Sequence, residues 1–590
     1  MSQNDVPVLI VGGGGAGLTA SMLFSKLGID SLLVSALPTT SILPKAHVLN
    51  QRTMEILTDV GVADRIYAVG TPPEQMRATA WYAGFAGSEP NAGRLIGRME
   101  CWGAGGLNPD WTAASPFLST NLPQIRLEPL LKQRAEELAP GKIRFGHELV
   151  DFEQNADHVL AVIRDHQAQR TYEVRAKYML GCDGGRRVGP KLGIELSGRR
   201  NLSNQVSLYV AADLSRWAGE SDVLIRWVWL PDSGTMAVMV PMGPKHWGPK
   251  SEEWVIHIAY PPDDPRALDD RLVEQDMRAA LGVGDHPMTI HKVSRWSLEG
   301  VLADQFRKDR VFLVGDAAHR HPPTGGLGLN SAIQDAHNLC WKIAAVLQGH
   351  ADDRLLDSYE PERRAATGRN VQRSLENATN QFAVGASLGL VRDGDPKANW
   401  AQMNRFWGDT PADAEYRRNA LRHMATQSME FDEHNIEAGY RYESNAIVPD
   451  GTPRTATPDD IRIYVPDTRP GSPLPHAFVH DADNANISVM DLVKPGRFLL
   501  IAGEDGAAWC DAAAVLAKQT ALPVDAVRIG HSDGDYRDPR SAWTRQRQIT
   551  NAGAILVRPD RFIAWRSDGA SQAPRRELEK ALSTILGRAA

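Results

Sequence analysis

Two glycine-rich turns, one at the start of the chain and one past its middle, limit what it can fold into more than any other feature. The first is Val8-Leu-Ile-Val-Gly12-Gly-Gly14-Gly15-Ala16-Gly17. This apolar run passes into GxGxxG and then into helical spacing, with Leu18, Met22, Leu23 and Leu27 apolar. A continuous apolar run is the pattern of a strand buried on both faces of a parallel sheet. Glycines at this spacing let backbone approach a pyrophosphate at the N-terminus of the following helix. Gly28 ends that helix and Ser31–Val34 reads as a second strand, giving the start of a βαβ unit. The second turn is Gly315-Asp316-Ala-Ala-His319-Arg-His321-Pro322-Pro323-Thr-Gly325-Gly326-Leu-Gly328-Leu329-Asn330, fed by the apolar run Arg310–Val314. Beyond it, Ala332, Ala336, Leu339, Cys340, Ile343 and Leu347 mark the buried face of a long helix over Gly328–Leu347.

With 590 residues the chain exceeds a single core, and two to four domains of about 100–200 residues are expected. A net charge of -7 argues against a broad basic surface for nucleic acid. Cys101, Cys182, Cys340 and Cys510 are far apart and form no CxxC, which argues against a disulfide framework, a metal site or a dithiol centre. Met1 to Asp5 carries no basic leader, and no apolar run approaches the roughly 20 residues that span a bilayer. A cytoplasmic protein with no membrane partner is the expectation.

Arg126–Leu138 reads as a helix. Phe145–Val150, Ala161–Arg164 and Tyr172–Arg175 read as antiparallel strands, and Tyr178–Gly181 as a further buried strand ending at Cys182-Asp183-Gly184. Arg77 to Asn121 shows little periodicity. Val206–Trp229 and Met236–His257 alternate in part and suggest an inserted meander. The division this predicts is a discontinuous dinucleotide-binding domain (1–75, 121–195 and 295–360), a sheet domain for substrate (76–120 and 196–294), a helical segment (361–446), a linker (447–460) and a C-terminal unit (461–590). In the last unit the order βαβ-ββα fits a thioredoxin-like fold whose redox position reads Ala508-Trp509-Cys510-Asp511, with one thiol only. The fold class is thus α/β: a Rossmann-like domain, an inserted mixed β-sheet and a thioredoxin-like tail.

Which dinucleotide is bound follows from the later motifs. Ser35 stands at the end of the second strand, where an acid would normally hold the ribose hydroxyls. Asp183-Gly184 is either an ordinary turn or a second nucleotide contact. An acid at Asp316 suits a ribityl hydroxyl. The N-terminus of the Gly328 helix suits negative charge on a reduced flavin, and Pro322-Pro323 would stiffen the loop beside its ring. Three glycine motifs in this order point to FAD.

The order GxGxxG, Asp183-Gly184, Gly315-Asp316-Ala317-Ala318-His319 resembles the FAD-dependent aromatic hydroxylases of the p-hydroxybenzoate hydroxylase type. Lys45-Ala-His47-Val-Leu-Asn-Gln51-Arg52-Thr53-Met54-Glu55-Ile56-Leu57 and His319 to Asn330 resemble its phenol and chlorophenol hydroxylases. The resemblance implies that Gly12, Gly14, Gly15, Ala16 and Gly17 hold the pyrophosphate, with Ser35 nearby, and that Arg52 and Gln124 touch the flavin. It further implies that Asp316 holds the ribityl chain, that Asp183 serves FAD and NAD(P)H, and that Pro322, Gly325, Gly328, Leu329 and Asn330 surround the isoalloxazine. The implied activity is NAD(P)H- and dioxygen-dependent hydroxylation of a small phenol, ortho to its hydroxyl, through a C4a-hydroperoxyflavin. The alternatives are a polyketide tailoring hydroxylase of the same fold and a flavin reductase or dehydrogenase that does not use oxygen. His47 is the candidate acid/base, set against a histidine that only bonds backbone or flavin, and His321 is a second candidate whose other reading is structural. Trp227, Trp229 and Pro323 either line an aromatic pocket or, for the tryptophans, belong to the core. The tail of the resembling enzymes often joins subunits, which leaves a homo-oligomer open.

Overall fold

The computed structural model describes residues 5–261 and 263–588. In chain order the elements that position the site begin with β1 (Asp5–Val11), α1 (Gly15–Lys26), β2 (Ser31–Ser35), α2 (Gln51–Asp59), β3 (Ala78–Ala83), β4 (Arg94–Glu100), α3 (Gln124–Leu138) and β5 (Arg170–Gly181). There follow β6 (Asn204–Ala211), β7 (Val223–Leu230), β8 (Thr235–Gly243), β9 (Glu253–Tyr260), β10 (Thr289–Ser297), β11 (Val311–Leu313), α4 (Leu327–Leu347), α5 (Tyr359–Leu388), α6 (Ser428–Phe431) and α7 (His434–Ala438). The tail holds β12 (Phe498–Ala502), α8 (Ala507–Thr520), β13 (Val524–Gly530), β14 (Ala554–Val557), β15 (Ile563–Ser567) and α9 (Pro574–Ile585). Among the described residues no helix is long and apolar enough to cross a membrane.

β5, β1 and β2 form the centre of the first sheet, with β11 parallel beyond β5 and Ile143–Phe145 parallel beyond β2. β5 is one strand of 12 residues, where the sequence pattern suggested two. Its first half alternates between exposed and buried and pairs antiparallel with Val159–Asp165. Its last four residues are all buried between β1 and β11. The change of pattern records a strand passing from a half-solvated to a fully covered sheet. Conversely, the single strand expected over Phe145–Val150 divides at Gly146, whose φ is +74°.

The inserted sheet runs β10-β6-β9-β8-β7-β3-β4, antiparallel except for the parallel pair β7 and β3. β3 and β4 come from the stretch in which the sequence showed no period. β3 is buried along its whole length, so it lacks the alternation that reveals a half-covered strand. In the tail, β12 pairs parallel with β13 and antiparallel with β14, and β14 with β15, with α8 and α9 packed on the apolar core beside them.

The tail is fixed to the first domain through the turn Arg558-Pro559-Asp560-Arg561 between β14 and β15. The Arg558 guanidinium grips both oxygens of Glu362 on α5, at 2.5 and 2.9 Å, and also bonds Asp560. Lys342 of α4 donates to the same Glu362 carboxylate at 2.7 Å. All three side chains are fully buried. Burial alone would raise the Glu362 carboxyl, but Arg558 and Lys342 hold it well below the usual carboxylate range. Arg561 pairs with Asp59 of α2, and Phe562 stacks on Tyr442 with ring centroids 4.0 Å apart.

A buried ion pair contributes little net stability against an apolar substitute, but removing one partner strands the other. Arg558→Ala is therefore expected to destabilise the protein by about 3–5 kcal/mol in denaturant unfolding. Because the folded Glu362 value is depressed, its contribution is present above the ordinary carboxyl value of about 4.3 and is lost as pH falls below it. A variant within about 0.5 kcal/mol of wild type, or one with an unchanged acid limb, would contradict the role given to this contact.

Candidate active site

Three separate segments meet where β1, β5 and β11 end. Gly12 has φ +121° and lies so close to the Cys182 carbonyl, at the end of β5, that a Cβ would overlap it. A Cβ on Gly17 would overlap the Gly12 carbonyl oxygen. A Cβ on Gly15 would stand 2.6 Å from Leu329 of α4, and one on Gly315 (φ +64°) 2.9 Å from Ala332 and 3.5 Å from Ala16. α1 opens at Gly14 with no side-chain cap and no acid in its first turn, and α4 opens at Gly326, also uncapped. Two uncapped helix N-termini joined by bare glycine backbone suit an extended dianionic ligand, with phosphate at one end and an electron-accepting ring at the other. The residues present fit FAD.

The second glycine loop is held from outside by side chains. Asp335 of α4 accepts from the Gly315 amide (3.0 Å), His319 Nε2 (2.7 Å) and Arg363 Nε (2.7 Å), all inside the protein. Asn330 accepts from the Asn50 amide and donates to the Val48 and Gly326 carbonyls, so it staples the loop after His47 to the loop before α4. Thr324 donates to the Ser374 carbonyl and the Gly325 amide donates to Glu430. Glu433 lies against Gly325 so closely that a Cβ there would overlap its Oε1, an oxygen with no partner among the described residues. Burial pushes Glu430 up to about 7 and Glu437 up to about 8. Burial, with Glu437 adding to it, also raises Glu433 well above the ordinary carboxyl range.

His47 sits at the edge of the same space. Its Nδ1 is 2.6 Å from Asn121 Oδ1, and the Asn121 amide donates to Thr71. A carbonyl oxygen only accepts, so Nδ1 carries the proton and Nε2 keeps a free lone pair. Burial lowers the His47 value and Asn121 partly restores it, so the ring is neutral at neutral pH.

The FAD binding domain model matches residues 5–374, and the model of the aromatic-ring hydroxylase C-terminal region matches 467–589. The chain belongs to the FAD-dependent aromatic-ring hydroxylases. It is 35% identical to 2,4-dichlorophenol 6-monooxygenase of Delftia acidovorans, over 99% of this chain and 98% of that one. With phenol 2-monooxygenase of Pseudomonas sp. strain EST1001 it shares 32% identity, covering 98% and 92%. Among solved structures it resembles the flavin-dependent monooxygenase PieE in complex with FAD and substrate, with a TM-score of 0.91, 36% identity and full coverage of both chains.

In this hydroxylase several residues named from the sequence have partners other than those expected. Arg52 is buried, pairs with Glu55 at 2.7 Å through one Nη and faces the Phe562 ring of the tail, and its Nε has no partner among the described residues. Both oxygens of Asp183 accept backbone amides, from Gly185, Arg187 and Val188, which makes it the cap of a turn. Trp227 bonds Thr79 and meets Phe431 edge-on, while Trp229 packs on Gly385 of α5, so both fill the core between sheet and helices. His321 is enclosed, and neither ring nitrogen reaches a partner within hydrogen-bonding geometry. Burial lowers its value well below the ordinary histidine range. Pro322 is buried in the loop and Pro323 exposed. Asp316 is exposed and makes no side-chain bond among the described residues, and Ser35 lies buried beside Gly13. Gln124 donates to Glu128, whose other oxygen accepts the Ser41 amide and which faces Gly14. Glu128, Asn121, Asp335 and the acids of α6 and α7 carry no local signal, because each acquires its role through a partner distant in sequence.

The loop clamp should titrate. A buried acid whose value is raised favours the closed state below its ordinary value and opposes it as pH rises through the raised one. FAD is expected to dissociate faster as pH climbs through about 7, set by Glu430 on the Gly325 amide, and Glu430→Gln should flatten that profile. Release of flavin followed by fluorescence checks this, and identical profiles for the two proteins would contradict it.

Proposed function

We propose that this chain hydroxylates a phenol ortho to its existing hydroxyl, using dioxygen and a reduced nicotinamide nucleotide, with His47 as the base that receives the phenolic proton. When bound, FAD supplies the acceptor for hydride and the means of activating dioxygen. The observation that carries the reading is the tautomer of His47: Asn121 holds its Nδ1–H and leaves the Nε2 lone pair turned away from that bond.

A phenolate is more electron-rich at its ortho and para carbons than a phenol. A base at the hydroxyl therefore raises the rate of oxygen transfer to the ring. In water an imidazole with a depressed value would take little of a phenol's proton. In an enclosed site the proton moves between two neutral partners to give an adjacent ion pair, and attraction at short range offsets part of the cost. The inner face of the inserted sheet, with Val240, Val255 and Met242 against Val48, supplies an apolar wall that excludes water. The ortho preference and the phenol class rest on the relatives named above, and the nucleotide on the family.

The decisive experiment is a panel of single-ring and fused-ring phenols, tested for stimulated oxidation of NADH and NADPH with product mass measured. Gain of one oxygen by a phenol supports the reading, and oxidation of the nucleotide with no oxygenated product from any of them would overturn it. His47→Ala is expected to retain FAD and to keep oxidising nucleotide, while product falls by a factor of about 100 or more. Near-normal hydroxylation by that variant would remove His47 from the reaction.

A further inference from the structure

The inserted sheet carries its own hydrogen-bond relay, and it faces His47. Ser207 on β6 and His257 on β9 are directly paired across the sheet, on the same face as Tyr209 and Val255. Val48, the neighbour of His47, packs in one apolar cluster with Tyr209, Val240 and Val255 of that face. His47 also lies close enough to His257 to act on it electrostatically; burial first, and His47 second, lower the His257 value to about 4. Both rings are partly buried and keep some accessible surface.

The relay fixes the His257 tautomer. Trp296 Nε1 donates to Ser207 Oγ at 2.8 Å, and an indole has nothing else to offer. The second partner of Ser207 Oγ is His257 Nδ1, at 2.7 Å. Ser207 Oγ has no further acceptor within bonding distance among the described residues, so the arrangement that satisfies its own proton is donation to Nδ1. His257 is left with its proton on Nε2, and that N–H has no partner among the described residues. His47 thus offers a ring nitrogen with a lone pair, and His257 a ring nitrogen with a proton.

From this pairing we infer that His257 is a second substrate-binding residue, donating from Nε2 to the same phenolic oxygen whose proton His47 accepts. The inference rests on the proposed function above. A phenol hydroxyl has one proton to give and lone pairs to receive, which matches one acceptor and one donor. When the O–H bond breaks, its proton forms an N–H bond at His47 Nε2 and the electron pair stays on oxygen. The His257 N–H is then a hydrogen bond to a charged acceptor, stronger than the one made to the neutral phenol. A residue that binds the phenolate better than the phenol favours the reactive form. Of the other ionisable groups near this face, Tyr209 donates to Glu253, Glu253 also holds Arg126 and lies 3.8 Å from His291, and Lys292 stands opposite Tyr209 in the sheet register.

The test uses FAD-loaded protein with oxidised flavin and no nucleotide, so no turnover occurs, and 2,4-dichlorophenol as the probe. Near-ultraviolet difference spectra separate bound phenol from bound phenolate, and a pH titration gives the ionisation of the bound ligand. Wild type is expected to bind the probe and to ionise it at lower pH than free solution does. His257→Leu should weaken binding about tenfold or more at neutral pH and raise the ionisation of the bound probe by about one unit. His257→Gln, which keeps a donor, should recover most of both, and Ser207→Ala, which only frees the tautomer, should lose about threefold. The flavin spectrum of each variant reports that the site is intact. Wild-type affinity and ionisation in His257→Leu, or equal loss in His257→Leu and His257→Gln, would overturn the inference while leaving the proposed function standing. Failure of wild type to bind any phenol would overturn both.

Discussion

Backbone meets backbone in this site with nothing between, and the rest of the arrangement depends on that contact. Gly12 lies on the carbonyl of Cys182, and Gly17 on the carbonyl of Gly12. A single methyl group at either position would hold β1, β5 and α1 apart. Their close approach leaves the N-terminus of α1 without a cap from its own first residue and, among the described residues, with only Glu128 facing it, and it sets the end of β11 near enough for Gly315 to rest on Ala16 and Ala332. FAD affinity in this family therefore begins as a steric property of strand ends, before any charged side chain is involved.

The side chains then make a second layer. Glycine loops have little reason to hold one shape, since their backbone freedom is lost on folding. Here the loop before α4 is fixed at four places, by Asp335, Asn330, Ser374 and Glu430, drawn from α4, α5 and α6. The acids that do this are buried, so each carries a desolvation cost that hydrogen bonds offset only in part. Asp335 is offset by His319 and Arg363 and stays charged. Glu430 and Glu433 have weaker compensation and are pushed toward the neutral form. The helical segment thus acts on the flavin loop, and the tail acts on the helical segment through Glu362 and Arg558.

What the sequence revealed and what it concealed divide along one line. Features encoded by neighbouring residues were legible: the GxGxxG turn, the helix from Leu327 with its buried Ala332, Ala336 and Leu339, and the central βαβ-ββα order of the tail, though not the short strands Phe478–His480, Asn486–Ser488 and Tyr536–Arg537 that extend its sheet. The fold class and the cofactor follow from those alone. Features made by distant partners were not legible. The pairing of Arg52 with Glu55 and its approach to Phe562 of the tail have no signal in the motif that singles it out. Asp183 followed a buried strand in the manner of a nucleotide contact, yet its oxygens close a turn. β3, buried from end to end, has no periodicity to read. His257 is one polar residue in a sheet strand, and only pairing with Ser207 and Trp296 gives it a direction.

The account stands on three segments converging to hold one dinucleotide, and the flavin content of the purified protein measures that most directly. Apoprotein titrated with FAD, followed by the change in flavin absorbance and by calorimetry, is predicted to bind one FAD per chain and to turn yellow. Folded protein that takes up no FAD, or that binds it equally well with Gly17 replaced by valine, would contradict the account.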